Sequence, residues 1–180
     1  VWRACALTFV ISASSGMVLL LFPQMFAAPA DGYGFGASTT DIGLLLLPGA
    51  IAGVVSDSVG GIASRRFGPP AVVVVAAVAT AATLTALASL HTAQWHLVLA
   101  KVLTAFAAGV ATTALLAATA TAIETEDIGI ATSLLVVTRV IGVALGAQVA
   151  AAILDAGKEP AMGLPAESAF VTAFVVAGLV

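Results

Sequence analysis

Long apolar runs separated by short polar segments constrain this chain more than any other feature. Residues 128–154 are typical of these runs and contain a single charged side chain, Arg139. A helix of about 20 mostly apolar residues is long enough to cross a bilayer. In lipid such a segment must satisfy its own backbone hydrogen bonds, and a helix does so. The runs therefore predict membrane-spanning helices.

The composition supports the same solvent. Hydrophobic residues make up 61% of the 180 residues, charged residues only 8%, and the mean hydropathy is +1.17. A water-soluble domain carries about 25% charged residues, so this chain has too few to cover a surface in water. We therefore expect an integral membrane protein with the lipid bilayer as its main partner.

Several classes of function lack support in the sequence. The net charge is −3, and no basic cluster exceeds the pair Arg65–Arg66, so we expect no nucleic-acid partner. A single cysteine, Cys5, excludes an internal disulfide. The sequence contains no phosphate-binding glycine loop, nucleophile elbow or His/Cys cluster. We expect a protein that is not an enzyme and that needs no cofactor or metal.

Six runs predict an all-α, polytopic transmembrane helix bundle in one domain, residues 1–180. The predicted helices cover residues 4–26, 42–63, 71–90, 95–123, 128–154 and 168–180. Segments rich in Gly, Pro, Ser and Thr separate them, and Pro69 and Pro70 mark one such break because proline is tolerated in a first helical turn but not inside a helix. The chain begins without Met and stops inside an apolar run, so we expect five full helices, a truncated sixth and a longer parent protein.

The basic residues predict the orientation of the bundle. Arg3, Arg65 and Arg66 fall on one side of the predicted membrane, and Lys158 falls on the other. Lys and Arg are enriched in short cytoplasmic loops. The loop that contains Arg65 and Arg66 is therefore predicted to be cytoplasmic.

Two pairs of glycines predict close contacts between helices. Gly49 and Gly53 are four residues apart in the second run, and Gly142 and Gly146 are four apart in the fifth. Small residues at this spacing let helix backbones approach each other in a membrane. Arg139 precedes Gly142 by three residues, so we expect all three residues of the fifth run to lie near one face that packs inward.

Arg139 lies about 16 Å from the inner end of its predicted helix, close to the bilayer midplane. An arginine at that depth costs about 2.5–3.5 kcal/mol to insert, so it should face protein or a wet cavity. Either it binds an anionic group or tunes a carboxylate in a cavity, or it braces the helix bundle.

Three further polar residues within the runs are candidates for substrate binding or coupling. Asp57 lies about 9 Å from the inner end of its predicted helix; it either exchanges protons or pairs with Arg65 or Arg66 at the interface. Lys101 is about 9 Å from the outer end and can extend its ammonium toward water. Gln148 either hydrogen bonds a substrate or joins two helices.

Sequence blocks in the correct order resemble a known family. The run TTDIGLLLLPG is followed by a segment similar to the pattern G-x-L-x-D-R-x-G-x-R. Gly61, Arg66 and Gly68 match that pattern, whereas Arg65 occupies the usual Asp position and Pro70 the final basic one. A second block, ETEDIGIATSLLVVTRVIGVALG, has an acidic loop, then G-x-A-[ST], then an arginine and G-x-x-x-G. Both blocks resemble the second half of the major facilitator superfamily, in its fourteen-span drug:proton antiporter branch.

This resemblance implies a function. It implies a six-helix half of a two-bundle secondary transporter that works by alternating access, with an N-terminal half outside this chain. It further implies proton-coupled efflux of drug-like or amphipathic small molecules from a bacterium across its plasma membrane. The alternatives are a nutrient or metabolite uptake carrier of the same fold and a truncated subunit that does not transport.

Overall fold

The described residues of the chain fold entirely into helices and connections. The computed structural model describes residues 2–29, 34–89, 93–124, 126–158 and 165–179. Within these ranges there is no strand, and six helices follow in order: α1 Trp2–Ala27, α2 Thr39–Phe67, α3 Pro69–Ser89, α4 Gln94–Ala122, α5 Ile128–Ala156 and α6 Glu167–Leu179. The predicted all-α bundle is confirmed. The predicted helix ends at Leu90 and Val180 lie outside the described residues.

Local interactions account for the start of α2. Ser38 precedes the helix in an extended conformation, and its side chain accepts a hydrogen bond from the Asp41 backbone N–H. The Asp41 carboxylate in turn accepts from the Ser38 N–H. This reciprocal capping box satisfies two backbone donors that would otherwise have no partner. It places the start of α2 three residues before the predicted position.

The connection between α2 and α3 is shorter than the sequence predicted. We expected a loop around Arg65 and Arg66, but both arginines lie in the last helical turn of α2. Gly68 alone separates the two helices, with φ +83°, and its N–H donates to the Ser64 carbonyl. Glycine adopts this φ without steric cost, and Pro69 begins α3 directly afterwards. The two cations also lie at the negative end of the α2 dipole, where positive charge is favourable.

The lengths and surfaces of the helices suit a membrane. Helices α1 to α5 are each long and apolar enough to cross a bilayer, whereas α6 is a shorter apolar helix. Large apolar side chains point outward along them; Val54, Val75 and Ile130 are examples with more than half of their surface exposed. An outer surface of this kind is stable in lipid and unstable in water.

The largest hydrophobic core lies toward the end of the bundle where α4 begins, which we call the Trp95 end. Phe22 of α1 and Phe174 of α6 meet there edge to face, with ring centroids 5.6 Å apart. Leu84 and Leu97 bring α3 and α4 into the same fully buried cluster. The opposite end, where α2 ends and α3 begins, we call the Arg65 end. There a smaller apolar cluster joins α3 and α4.

Two helix pairs, α1–α5 and α2–α4, make the most extensive contacts in the bundle. In the first pair, a Cβ placed on Gly142 would lie 2.7 Å from the Phe9 carbonyl oxygen, and one on Gly146 would collide with the Ala13 backbone. In the second pair, a Cβ on Gly49 would lie 2.7 Å from Cγ of Lys101. Any larger side chain at these three glycines would force the helices apart.

Gly53 does not behave as the sequence suggested. A Cβ placed on it would have no atom within 4 Å. Gly60 makes the close contact instead, since a Cβ there would lie 2.9 Å from the Val110 backbone. The separation of eleven residues between Gly49 and Gly60 is about three helical turns, so both face α4. Gly53 lies near the contact only through its carbonyl oxygen, which would be 3.2 Å from a Cβ placed on Gly109 of α4.

Candidate functional site

Asp57 is an intramembrane carboxylate on the surface of the bundle. It lies ten residues before the end of α2, which is about 15 Å along the helix axis. This is deeper than predicted because α2 continues to Phe67. The carboxylate is exposed and accepts a hydrogen bond of 3.2 Å from the Thr113 hydroxyl on α4. The predicted pairing with Arg65 or Arg66 is not found among the described residues, where the recorded ion pair joins Lys158 and Asp155.

Arg139 lies on α5, eleven residues after Ile128 and thus about 16 Å along the helix. The prediction that it packs inward with Gly142 and Gly146 is wrong: both glycines are buried, but Arg139 is exposed. The cause is the close approach of α1 to α5. A contact with no space for a Cβ on Gly142 cannot hold a guanidinium, so the arginine lies beside the contact.

Gln148 is also exposed on α5. It is nine residues from Arg139 and therefore projects from an almost opposite side of the helix. Asp57 and Arg139 belong to different helix pairs, α2–α4 and α1–α5. The bundle thus does not gather these three residues into one cluster. The Asp57 carboxylate and the Arg139 guanidinium lie on two different surfaces, at similar distances from the Arg65 end.

Lys101 points into the bundle. We expected its ammonium to extend toward water, but Nζ lies 5.8 Å from the centroid of the Phe22 ring, and Phe22 is fully buried. The aliphatic part of the lysine passes Gly49, where the missing side chain provides the space. A cation over an aromatic face is attracted by the ring quadrupole. Lys101 itself lies seven residues, or about 10 Å, after the start of α4.

A cavity of about 320 Å³ lies beside Lys101, between α1, α3, α4 and α6. Alanine is the commonest residue in its walls, and Ser14, Ser15, Thr80 and Thr104 are the hydroxyl-bearing residues. Lys101 is the lining residue of α4 nearest the Trp95 end. The cavity is therefore apolar along most of its length and cationic at one end.

The motif residues at the Arg65 end remain close together. Arg65 and Arg66 are exposed, and the Arg66 guanidinium lies 5.4 Å from the centroid of the adjacent Phe67 ring. Gly61 is half-buried and faces Thr113 of α4 at ordinary contact distance. Gly68 forms the turn itself. Together these residues make a compact, positively charged corner between α2 and α3.

Sequence reasoning missed several residues that shape these sites. Thr113 is 56 residues from Asp57, and no local pattern connects the two. Gly109 of α4 lies against Ser56 of α2, and Gly16 of α1 lies against Val143 of α5. Each is a single glycine outside a GxxxG pair, so the spacing rule did not select it. Only the eleven-residue repeat of Gly49 and Gly60 could have been recognised as one helical face.

Taken together, the helices and the intramembrane charges define a class: a polytopic helix bundle of the kind that membrane transporters use. The pairing of α1 with α5 and of α4 with α2 also suits two three-helix repeats of opposite orientation, a common plan in such proteins. The family model of the Major Facilitator Superfamily matches residues 4–180, and the chain belongs to this superfamily of secondary transporters. It is an integral membrane protein and not an enzyme. No curated protein matches the chain significantly.

Proposed function

We propose that this chain supplies one six-helix bundle of a two-bundle exporter that couples proton entry to the efflux of drug-like or amphipathic small molecules. An N-terminal bundle outside the chain completes the transporter, and the two bundles rock about a central site. The protein lies in a bacterial plasma membrane with the Arg65 end in the cytoplasm. The orientation is supported by Arg3, Arg65 and Arg66 on that side and Lys158 on the other.

The positions of the exposed charges support a second bundle. Asp57 and Arg139 lie at similar depth in α2 and α5, and both are exposed. A charged side chain at the bilayer centre costs about 2.5–3.5 kcal/mol if it meets lipid. A second bundle would convert these surfaces into walls of a water-filled pathway and remove that cost. The low burial of α2 and α5 agrees with this arrangement.

The coupling proposal rests on the exposed position of Asp57 within a spanning helix. Among the described acidic residues it is the one in the middle of a spanning helix; the others lie at helix ends or in connections. A carboxylate exposed to an intramembrane pathway can take up a proton from one side and release it to the other. The Thr113 hydroxyl can stabilise its charged form by hydrogen bonding.

The direction of transport and the substrate class rest on the sequence blocks described above. GLLLLPG at the start of α2 and the G-x-A-[ST]…R…G-x-x-x-G block of α5 both resemble the drug:proton antiporter branch. Arg139 belongs to the second block. Its exposure at mid-depth supports a position in the transport pathway.

The test is Asp57→Asn in the complete two-bundle transporter, reconstituted in proteoliposomes. We expect the variant to lose substrate flux driven by an imposed pH gradient but to keep substrate exchange across the membrane without a gradient. Asp41→Asn is the matched control, since it makes the same change at the capped start of α2 and should keep both activities. An Asp57→Asn variant that couples normally across pH would remove Asp57 from the mechanism.

A further inference from the structure

The cavity beside Lys101 has the shape of a site for one short apolar chain. It extends along α4 from Lys101 to Ala111, ten residues or about 15 Å. Its volume of about 320 Å³ is at the small end of the range for ligand pockets, roughly 300–1,000 Å³. Alanine side chains from three helices are the commonest part of the wall. A slender aliphatic group fits such a space better than a multi-ring compound.

Lys101 gives this cavity a charge preference. The neighbouring hydroxyls all donate to backbone carbonyls: Ser14 to Ala177 at 2.6 Å, Ser15 to Ile11 at 2.9 Å, Thr80 to Ala76 at 3.0 Å and Thr104 to Ala100 at 2.8 Å. The Lys101 ammonium carries three donors. Within the described part of the chain it contacts the Phe22 ring and forms no ion pair with a carboxylate.

The wall of the cavity reaches the outer surface of the bundle. Val78 of α3 lines the cavity and is largely exposed, at 62%. The outer surface of a membrane helix bundle faces acyl chains. A ligand can therefore reach the cavity sideways from the bilayer, without first crossing an aqueous path.

We propose that this cavity binds an amphipathic organic anion with one carboxylate and a single aliphatic chain. The Lys101 ammonium binds the carboxylate, and the alanine-lined space holds the chain. The Phe22 ring keeps the ammonium at the end of the cavity. The same charge repels organic cations. As a substrate site this inference rests on the proposed export function, whereas the binding itself does not.

The experiment measures binding of radiolabelled decanoate to the complete transporter in lipid nanodiscs. Decanol and decyltrimethylammonium serve as competitors with the same chain and a neutral or cationic head. We expect Lys101→Met to weaken decanoate binding about tenfold or more, because a hydrogen-bonded charge pair is lost while side-chain volume is kept. Lys101→Arg should retain binding, and neither competitor should displace decanoate from the unmodified protein.

Two other variants separate the site from general effects of substitution. Lys158→Met makes the same change in an exposed lysine outside the cavity and should leave binding unchanged. Ala108→Phe places a ring in the cavity and should abolish binding with Lys101 intact. Three results would overturn the proposal: decanoate binding that does not saturate, binding that Lys101→Met leaves unchanged, and equal displacement of labelled decanoate by unlabelled decanoate, decanol and decyltrimethylammonium.

The outcomes also distinguish this inference from the proposed function. If Asp57→Asn proves normal in coupling while decanoate binding still requires Lys101, the proton-coupling proposal fails and the anion site stands. If coupling depends on Asp57 but decanoate binding does not depend on Lys101, the anion-site proposal fails and the coupled-transporter proposal stands.

Discussion

Individual charged residues are the strongest indications of function in this chain, because placing a charged side chain in a bilayer costs free energy. Arg139, Asp57 and Lys101 lie about 16, 15 and 10 Å from the nearest end of their helices. Counting along the apolar runs predicted the depths of Arg139 and Lys101, whereas Asp57 lies about 15 Å deep instead of about 9 Å because α2 continues to Phe67. The surroundings were not predictable, because Asp57 contacts Thr113 and Lys101 contacts Phe22, more than 50 residues away in each case.

For Arg139 we predict that substitution by alanine in the complete transporter abolishes substrate efflux without preventing membrane insertion. We propose that the exposed guanidinium at mid-depth lines the transport pathway, whereas helix packing depends on the neighbouring glycines. Efflux from cells and the amount of protein in purified membranes are the two measurements. Arg3→Ala, at the exposed start of α1, is the control and should be near normal. Normal efflux by Arg139→Ala would show that the residue is dispensable.

At the scale of helices, small residues determine which elements pair. A Cβ on Gly146 would collide with the Ala13 backbone of α1, but one on Gly53 would touch nothing. Both glycines belong to GxxxG pairs, so the motif alone does not distinguish them. Whether such a pair faces a neighbour depends on the direction of the helix in the bundle.

These two glycines give a matched prediction for stability. Gly146→Ala should lower the unfolding temperature of the detergent-solubilised protein, because overpacking typically costs about 1–3 kcal/mol. Gly53→Ala should leave it unchanged or raise it, since alanine is favoured over glycine within a helix by about 1 kcal/mol. Thermal unfolding followed by circular dichroism measures both. Equal destabilisation by the two variants would contradict the α1–α5 contact.

The existence of the helices was predictable, but their packing was not. Runs of about 20 apolar residues have one stable conformation in lipid, so six helices followed directly. Lipid tails and protein interiors are equally apolar, however, so the sequence pattern does not mark which side of a helix faces its neighbours. The inward orientation expected for Arg139 failed for this reason. The one-residue connection at Gly68 was not predicted. Basic residues are typical of loops, but Arg65 and Arg66 form the last turn of a helix.

Over the whole molecule, the bundle has two surfaces that differ in what they can face. Apolar side chains such as Val75 and Val78 of α3 suit lipid. The surfaces of α2 and α5 include Asp57, Arg139 and Gln148 and need protein or water. The superfamily was recognisable from sequence blocks and is confirmed by the family match. These polar surfaces are the support for the proposed second bundle.

We therefore predict that the 180-residue chain alone does not transport. A single bundle has no opposing bundle with which to alternate access. Proteoliposomes that contain only this chain should show no proton-driven flux above empty liposomes, whereas the complete transporter should show it. Proton-dependent flux by the isolated chain would contradict the two-bundle proposal.

Water accessibility of α2 and α5 in the complete transporter tests the central claim most directly. Cys5 is the only cysteine among these 180 residues and is buried. A background in which Cys5 and any cysteine of the N-terminal bundle are replaced by alanine permits single-cysteine labelling. Asp57→Cys and Arg139→Cys should react with a membrane-impermeant, water-soluble thiol reagent in at least one transport state. Val75→Cys, exposed toward lipid on α3 and outside the cavity, should not. If cysteines at positions 57 and 139 are as unreactive as the one at position 75, these surfaces do not line an aqueous pathway and the account is wrong.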